Sequence, residues 1–342
     1  MRKATKNNKR EFTALLLFIT LLVLISIVFS GCKLLKDKKT PLIYNYKVGL
    51  QSFSLTFLPG MPPDEIYAPE KDIKSPFQIG LSISNNGAYD IKEGFLALAF
   101  ERDYVRIKRW NVESNVTPIG ASGERTFFSL KGRSQADPYG EQKVILIDAE
   151  ALPIEKQLSQ HQLVFSLTSC YKYETEASKD ACLDTIIGPT TTKKICTVSD
   201  LQFSGGQGAP VEVTKVEEKI IQDENSIRPQ FIIHIKNSGS GEVVDKDKIS
   251  DACSSIQLNY DSFNIVSLDE VKFSRYSKSN GAIECSPEKI KLKEGEGTTR
   301  CLLKAGLIKP GDESFVAPLT IKLSYGYTQS YSKQMVIKRA II

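Results

Sequence analysis

The chain has 342 residues, 41% hydrophobic and 25% charged, a balance that excludes a disordered segment and leaves room for two domains of ordinary size. The net charge of +5 sits at the start: Arg2, Lys3, Lys6, Lys9 and Arg10 against Glu11 precede residue 33, and the remainder carries 40 basic and 39 acidic groups. That near-neutral remainder excludes a nucleic-acid surface from expectation.

Phe12–Ser30 follows the basic flank and holds 19 residues without a charge. A helix crossing the bilayer core takes about 20. The flank predicts a cytoplasmic N-terminus, a membrane contact through Phe12–Ser30 and an extracytoplasmic remainder, residues 33–342. Two versions stay open. The segment is an uncleaved signal anchor, or Phe29-Ser30-Gly31-Cys32 is a lipoprotein signal whose cleavage leaves Cys32 lipidated. Residues 1–41 are flank, segment and tether; residues 42–177 a first module; 178–195 a polar linker; 196–342 a second module.

Short strand patterns run through both modules. Tyr44–Phe57 is aromatic and alternating, while the four prolines of Leu58–Pro69 predict an extended edge segment. In Phe77–Ala88, Ile79, Leu81 and Ile83 alternate with small polar residues before Asn86-Gly87, the pattern of a half-buried strand and turn. Phe95–Phe100, Tyr104–Val112, Thr126–Leu130, Val144–Ile147 and Leu163–Tyr173 continue as strands, with Trp110 as a core anchor. Past the linker come Cys196–Phe203, a glycine-rich loop Ser204–Pro210, and strands at Val211–Ile221, Gln230–Lys236, Ile256–Tyr260, Val271–Tyr276, Ile290–Leu292, Arg300–Leu303, Leu319–Tyr327 and Gln334–Arg339. The glycine-rich loop lacks the Gly-Lys-Ser/Thr of a phosphate loop.

The halves repeat. Ile79, Leu81, Ile83, Asn85 and Gly87 match Phe231, Ile233, Ile235, Asn237 and Gly239, each 152 residues on. Phe165, Leu167, Tyr171 and Tyr173 match Leu319, Ile321, Tyr325 and Tyr327, each 154 on. Two matches in one order at nearly one offset predict duplication of a single module. The fold class expected is all-β: two tandem antiparallel sandwiches of immunoglobulin-like type.

Beyond Cys32 there are six cysteines: Cys170, Cys182, Cys196, Cys253, Cys285 and Cys301. An even set behind an export signal reads as disulfides. Cys285–Cys301 flank a hairpin pattern and Cys170–Cys182 a short polar stretch, which leaves Cys196–Cys253. No two are close enough for a C-x₂₋₄-C zinc half-site. The two histidines, His161 and His234, stand in a polar turn and on the outer face of a strand, and compose no triad or dyad. Glu242, Asp245, Asp247 and Asp251 are a weak calcium candidate behind a turn, with Lys246 and Lys248 between them. Asn115-Val116-Thr117 is a glycosylation sequon.

Ser204–Lys219 (SGGQGAPVEVTKVEEK) with Phe231–Gly241 (FIIHIKNSGSG), Phe77–Ala88 and the closing Pro318–Tyr327 (PLTIKLSYGY) together resemble the CARDB-type, immunoglobulin-like adhesion modules of prokaryotic cell-surface proteins. The whole resembles archaeal surface proteins with an N-terminal anchor. The cysteine-bearing insertion before Cys301 departs from the minimal module. The resemblance implies a spacer, adhesive or scaffolding role, with no catalytic residues and no cofactor. The function expected is a membrane-anchored, outward-facing structural or adhesive protein, not an enzyme, that binds a protein or glycan through loops or sheet edges. The alternative is an accessory subunit of a pilus or surface layer, and a secreted hydrolase ranks below both.

Overall fold

Alternation of inward apolar and outward polar side chains turns almost every described element into a strand. The computed structural model describes residues 45–69, 74–112, 116–119, 124–188, 193–223, 225–254 and 256–339, and Thr20. The first half contains β1 (Phe53–Phe57), β2 (Glu65–Ala68), β3 (Ser75–Asn85), β4 (Ile91–Ala99), β5 (Val105–Val112), β6 (Val116–Ile119), β7 (Arg125–Leu130), β8 (Gln142–Ala151) and β9 (Gln160–Asp184). The second contains β10 (Leu201–Gln202), β11 (Val211–Asp223), β12 (Ser226–Asn237), β13 (Glu242–Val244), one helical turn α1 (Ile249–Ala252), β14 (Ile265–Phe273), β15 (Tyr276–Ser277), β16 (Ile283–Ser286), β17 (Lys289–Lys291), β18 (Glu296–Leu303) and β19 (Ser314–Arg339).

Three sheets result. One has the order β1-β3-β8-β5 and a second β10-β11-β12-β18-β16. The third has ten strands along β15-β14-β19-β9-β4-β7-β6, with β2 and β13 added on β19 and β17 on β14. Among the described pairings only β2 with β19 is parallel. The first sheet covers one end of the third: Phe77 meets Phe165 at 6.1 Å and Phe53 meets Phe128 at 5.0 Å between ring centres. The second sheet covers the other end, with Phe231 5.3 Å from Phe273. A single apolar cluster runs through both layers and includes Trp110, 6% exposed, as expected of a core anchor.

The seam between the halves is the longest feature. β9 and β19 pair without a break from Ser314↔Asp184 to Lys338↔Gln160, a ladder on the order of 80 Å at about 3.4 Å per residue. Two tandem sandwiches on a linker is therefore corrected. Residues Asn45–Ile342 form one compact unit, and Ser178–Asp184, expected to open the linker, continue β9. Leu319–Tyr327 and Gln334–Arg339, expected as two strands, are one. Ile256–Tyr260 is not a strand, and a 3₁₀ turn at Tyr260–Ser262 follows it.

The expected localisation, a cytoplasmic N-terminus with a membrane-spanning Phe12–Ser30, is also corrected. Among the described residues no helix is long and apolar enough to cross a membrane. Three disulfides mark the described chain as extracytoplasmic, because such bonds persist in oxidising compartments. Phe12–Ser30 (Thr20 apart), Cys32 and Asn115 lie outside the described residues.

Candidate functional site at the seam

Each repeated Asn-x-Gly ends a sheet strand and meets the last strand of its own half. Asn85 Nδ2 donates to Tyr89 O at 2.7 Å, while its Oδ1 accepts from Gly87 N and from the Tyr173 hydroxyl, both at 3.2 Å. Tyr89 N donates back to the Tyr173 oxygen at 3.3 Å. The second copy is the same. Asn237 Nδ2 donates to Gly241 O at 2.9 Å, its Oδ1 accepts from Gly239 N and the Tyr327 hydroxyl, and Gly241 N donates to the Tyr327 oxygen at 2.8 Å. Glycine is required within each turn because the tyrosine occupies the space of a side chain. A Cβ on Gly87 would stand 1.9 Å from the Tyr173 hydroxyl oxygen, and one on Gly239 2.3 Å from that of Tyr327. The repeat read from the sequence is thus a repeated hydrogen-bond network.

The two copies meet around a local two-fold axis. Lys172 pairs with Gly326, its own counterpart 154 residues on, and Tyr171↔Tyr327 and Tyr173↔Tyr325 flank that pair. This is the isologous geometry of a symmetric dimer, built within one chain. The four tyrosines form a buried ring, with centres 5.7 to 6.4 Å apart. Burial pushes all four hydroxyls up, that of Tyr327 to about 12, so they stay neutral.

The glycine-rich loop Ser204–Pro210 closes this seam. Gly49 N donates to Gly205 O at 2.6 Å, Gly208 N to Gly49 O at 2.7 Å, and Ala88 N to Gly208 O at 2.8 Å. Three backbones approach so closely that a Cβ on Gly206, at φ +70, would lie 2.3 Å from Gly49 O. The loop is a packing device. Beside it opens a crevice of about 230 Å³ between the segment leading into β1 and the Gly239–Ser240 turn, with Tyr327 and Gln329 also lining it. None of its lining residues carries a charge. A larger groove of about 540 Å³ lies on the second sheet, its charged lining made of Lys236, Lys291, Lys293 and Glu296, with His234 beside them. Much of its charge is engaged. Lys236 pairs with Glu296 at 2.8 Å, Lys291 donates to Tyr260 O and Phe263 O, and His234 Nε2 is 3.0 Å from Glu217.

The cysteines pair as Cys170–Cys253, Cys182–Cys196 and Cys285–Cys301. The last agrees with the expectation, for the two residues face each other across β16 and β18. The other two expected pairs are corrected. Cys170 and Cys182 lie twelve residues apart on one continuous strand, roughly 40 Å at strand rise, where a disulfide spans Cα atoms about 4.4–6.8 Å apart. Instead, Cys170 points to the back of the ten-stranded sheet, where Cys253 at the end of α1 packs with Phe95, Val244 and Ile249. Cβ room for α1 comes from Gly326, where an added Cβ would stand 2.4 Å from Ile249 Cγ2. Cys182–Cys196 clamps the chain that leaves β9, where Lys194 also pairs with Asp184 at 2.5 Å.

The calcium candidate does not assemble. Asp245 binds Lys289 at 2.7 Å, Asp251 lies 3.5 Å from Lys248, and Lys246 turns to Asp269 at 2.9 Å. Burial pushes the Asp245 carboxyl up, but Lys289 and the Asp247 N–H more than offset it and hold the group below its usual value. Glu242 is exposed on β13, and among the described residues no three His, Cys, Asp or Glu side chains are grouped to hold a metal. Both histidines contact a glutamate: His234 meets Glu217, as above, and His161 meets Glu101 at 2.9 Å while stacking on Tyr104 at 3.8 Å.

Sequence reasoning missed Glu218. It is 4% exposed on β11 and faces inward with Val216. Its Oε2 accepts from Cys182 N at 3.2 Å, and Oε1 has no partner among the described residues. Desolvation pushes the carboxyl up to about 7. The signal was present as strict alternation across Val216, Glu217 and Glu218.

No family model matches the chain, and no curated protein does. Among solved structures it overlaps the collagen-binding domain of Erysipelothrix rhusiopathiae surface protein RspB at 11% identity and TM-score 0.15, covering 85% of this chain and 97% of that one. It also overlaps the C-terminal domain of the Streptococcus pyogenes antigen I/II-family protein AspA at 7% and 0.15, covering 85% and 100%. A third overlap is the CupB6 tip adhesin from Pseudomonas aeruginosa at 9% and 0.18, covering 86% and 100%. TM-scores this low do not establish a shared fold, and the strand pairing above remains the description of this one.

Proposed function

We propose that this chain is a non-catalytic adhesive protein of the cell surface that holds partners through the loops and crevices of two fused sandwiches. The observation that carries the reading is Cys170–Cys253, which locks the last strand of one half to the inserted turn of the other. A bond between halves keeps a binding surface in one shape in an oxidising compartment, where such bonds persist. Further support comes from the seam, whose buried tyrosines and glycine contacts fix the relative position of the loops. The test labels intact cells carrying the chain with a membrane-impermeant amine reagent and maps its thiols under non-reducing conditions. Modified lysines together with Cys170–Cys253 and Cys182–Cys196 peptides are expected. An unlabelled chain with six free thiols would overturn the reading.

One observation favours the second reading, a subunit of a surface assembly. Ile187, Ile195, Phe315 and Val316 are all exposed in the segments where β9 ends and β19 begins, and exposed large apolar side chains suit contact with a partner subunit.

A further inference from the structure

We propose that the crevice at the seam binds one neutral, polyhydroxylated ring, a single sugar unit of a glycan. The inference rests on the adhesive reading and names its ligand class. Three features of the site point to it. The volume of about 230 Å³ lies below the ~300–1,000 Å³ of pockets for drug-sized ligands, so it admits one ring and not a chain. The lining has no charge, so an anionic or cationic ligand would be desolvated there without a partner. The unengaged polar groups include both donors and acceptors. The Gln51 side-chain amide has no partner among the described residues, and Ser240 Oγ accepts from Gln329 Nε2 at 3.1 Å while keeping its own hydrogen to donate. Hydroxyls on a ring answer such a mixed set, whereas a carboxylate or an amine answers only one half of it.

The site is also fixed before a ligand arrives. Gln329 Oε1 accepts from the Tyr331 hydroxyl at 3.2 Å, which with Ser240 holds the amide at both ends. Ser52 is bound to the Tyr171 hydroxyl at 2.7 Å. Gly239 leaves the wall open and cannot be enlarged without striking Tyr327. Exposed Leu50 supplies an apolar wall for the C–H face of a ring. The groove on the second sheet, with three lysines and Glu296 in its lining, is the charged surface that serves as the control.

The test is saturation-transfer NMR on the full chain with glucose, galactose, mannose and N-acetylglucosamine. Each is offered free and as the terminal unit of a neutral oligosaccharide, with glucuronate as the anionic probe. A ligand of one ring is expected to bind at ~1–10 mM. Gln51→Ala removes an exposed amide that has no partner among the described residues, so its melting temperature is expected to equal that of the parent while affinity falls ~3–10-fold. Gln329→Ala is expected to weaken binding at least as much. Binding of free and terminal sugars alike supports a ring-sized site, and binding of terminal units alone supports the same site with contacts beyond it. No transfer to any neutral sugar, an affinity unchanged from the parent in both variants, or transfer to glucuronate alone would overturn the proposal. None of these results bears on the disulfides or the surface labelling, so the adhesive reading stands or falls separately.

Discussion

Glu218 carries a pH-dependent cost in the folded state. It faces the interior from β11, one carboxylate oxygen is unpartnered among the described residues, and desolvation is the cause of its raised pKa. Unfolded, the group ionises near its ordinary value of 4.5; folded, it holds its proton to about pH 7. Below pH 4 both states are protonated and the residue contributes no pH dependence. As pH rises from there to about 7 the unfolded state loses its proton first, so stability falls, and above 7 the penalty is constant. The penalty is about 1–3 kcal/mol. Glu218→Gln keeps the shape, retains an acceptor for Cys182 N and cannot ionise. Chemical denaturation at pH 5 and pH 8 is expected to show the variant more stable than the parent at pH 8, with the gap much reduced at pH 5. An equal gap at both values would mean that the folded carboxyl ionises near its ordinary value and is not desolvated. The tyrosines show the opposite management of burial, since Tyr173 and Tyr327 both donate to and accept from the turns they touch.

At the scale of the element, β9 decides how the halves are joined, and it is where the sequence misleads most. Leu163–Tyr173 is legible because its inward residues are large: Leu163, Phe165, Leu167, Tyr171 and Tyr173. The next inward positions are Thr175, Ala177 and Ala181, with Glu174, Glu176, Ser178 and Asp180 pointing outward. Small inward and charged outward residues look like a polar linker, although the period of two continues. Thr175 is placed by its partners, since its hydroxyl donates to Val211 O at 2.6 Å and lies 3.0 Å from the Tyr325 hydroxyl. Such long-range pairing has no local signature. The repeat was legible because both its ends carry large or special residues, and the Cys285–Cys301 pair because a hairpin-like spacing gives it away. The other two disulfides and the tyrosine ring depend on the β9–β19 register, which no local window contains. Hydrogen exchange separates the two accounts. Amides of Ser178–Asp184 that point to β19 are expected to be protected like those of Leu163–Tyr173, whereas a linker would exchange within the dead time.

For the whole molecule the consequence is cooperativity. Domains joined by a linker unfold one at a time, but these halves share a sheet, an apolar cluster and a ring of four tyrosines. Opening the second half would strip β9 of its longest partner and expose Tyr171 and Tyr173, which are buried to within 1%. Calorimetry of the parent is therefore expected to show one transition. The Cys170→Ala, Cys253→Ala variant tests how much of that unity is covalent. Cutting a cross-link between residues 83 apart in sequence costs about 4.5 kcal/mol in the chain-entropy account. With about 2.1 cal/mol/K of unfolding entropy per residue, that lowers the melting temperature of a chain of this size by roughly 6 °C. The transition should stay single, because the ladder, the tyrosine ring and the glycine contacts between Gly49, Gly205 and Gly208 are all untouched. Two resolved transitions in the variant alone would assign the union of the halves to the disulfide. Two in the parent would return the molecule to a pair of tandem domains.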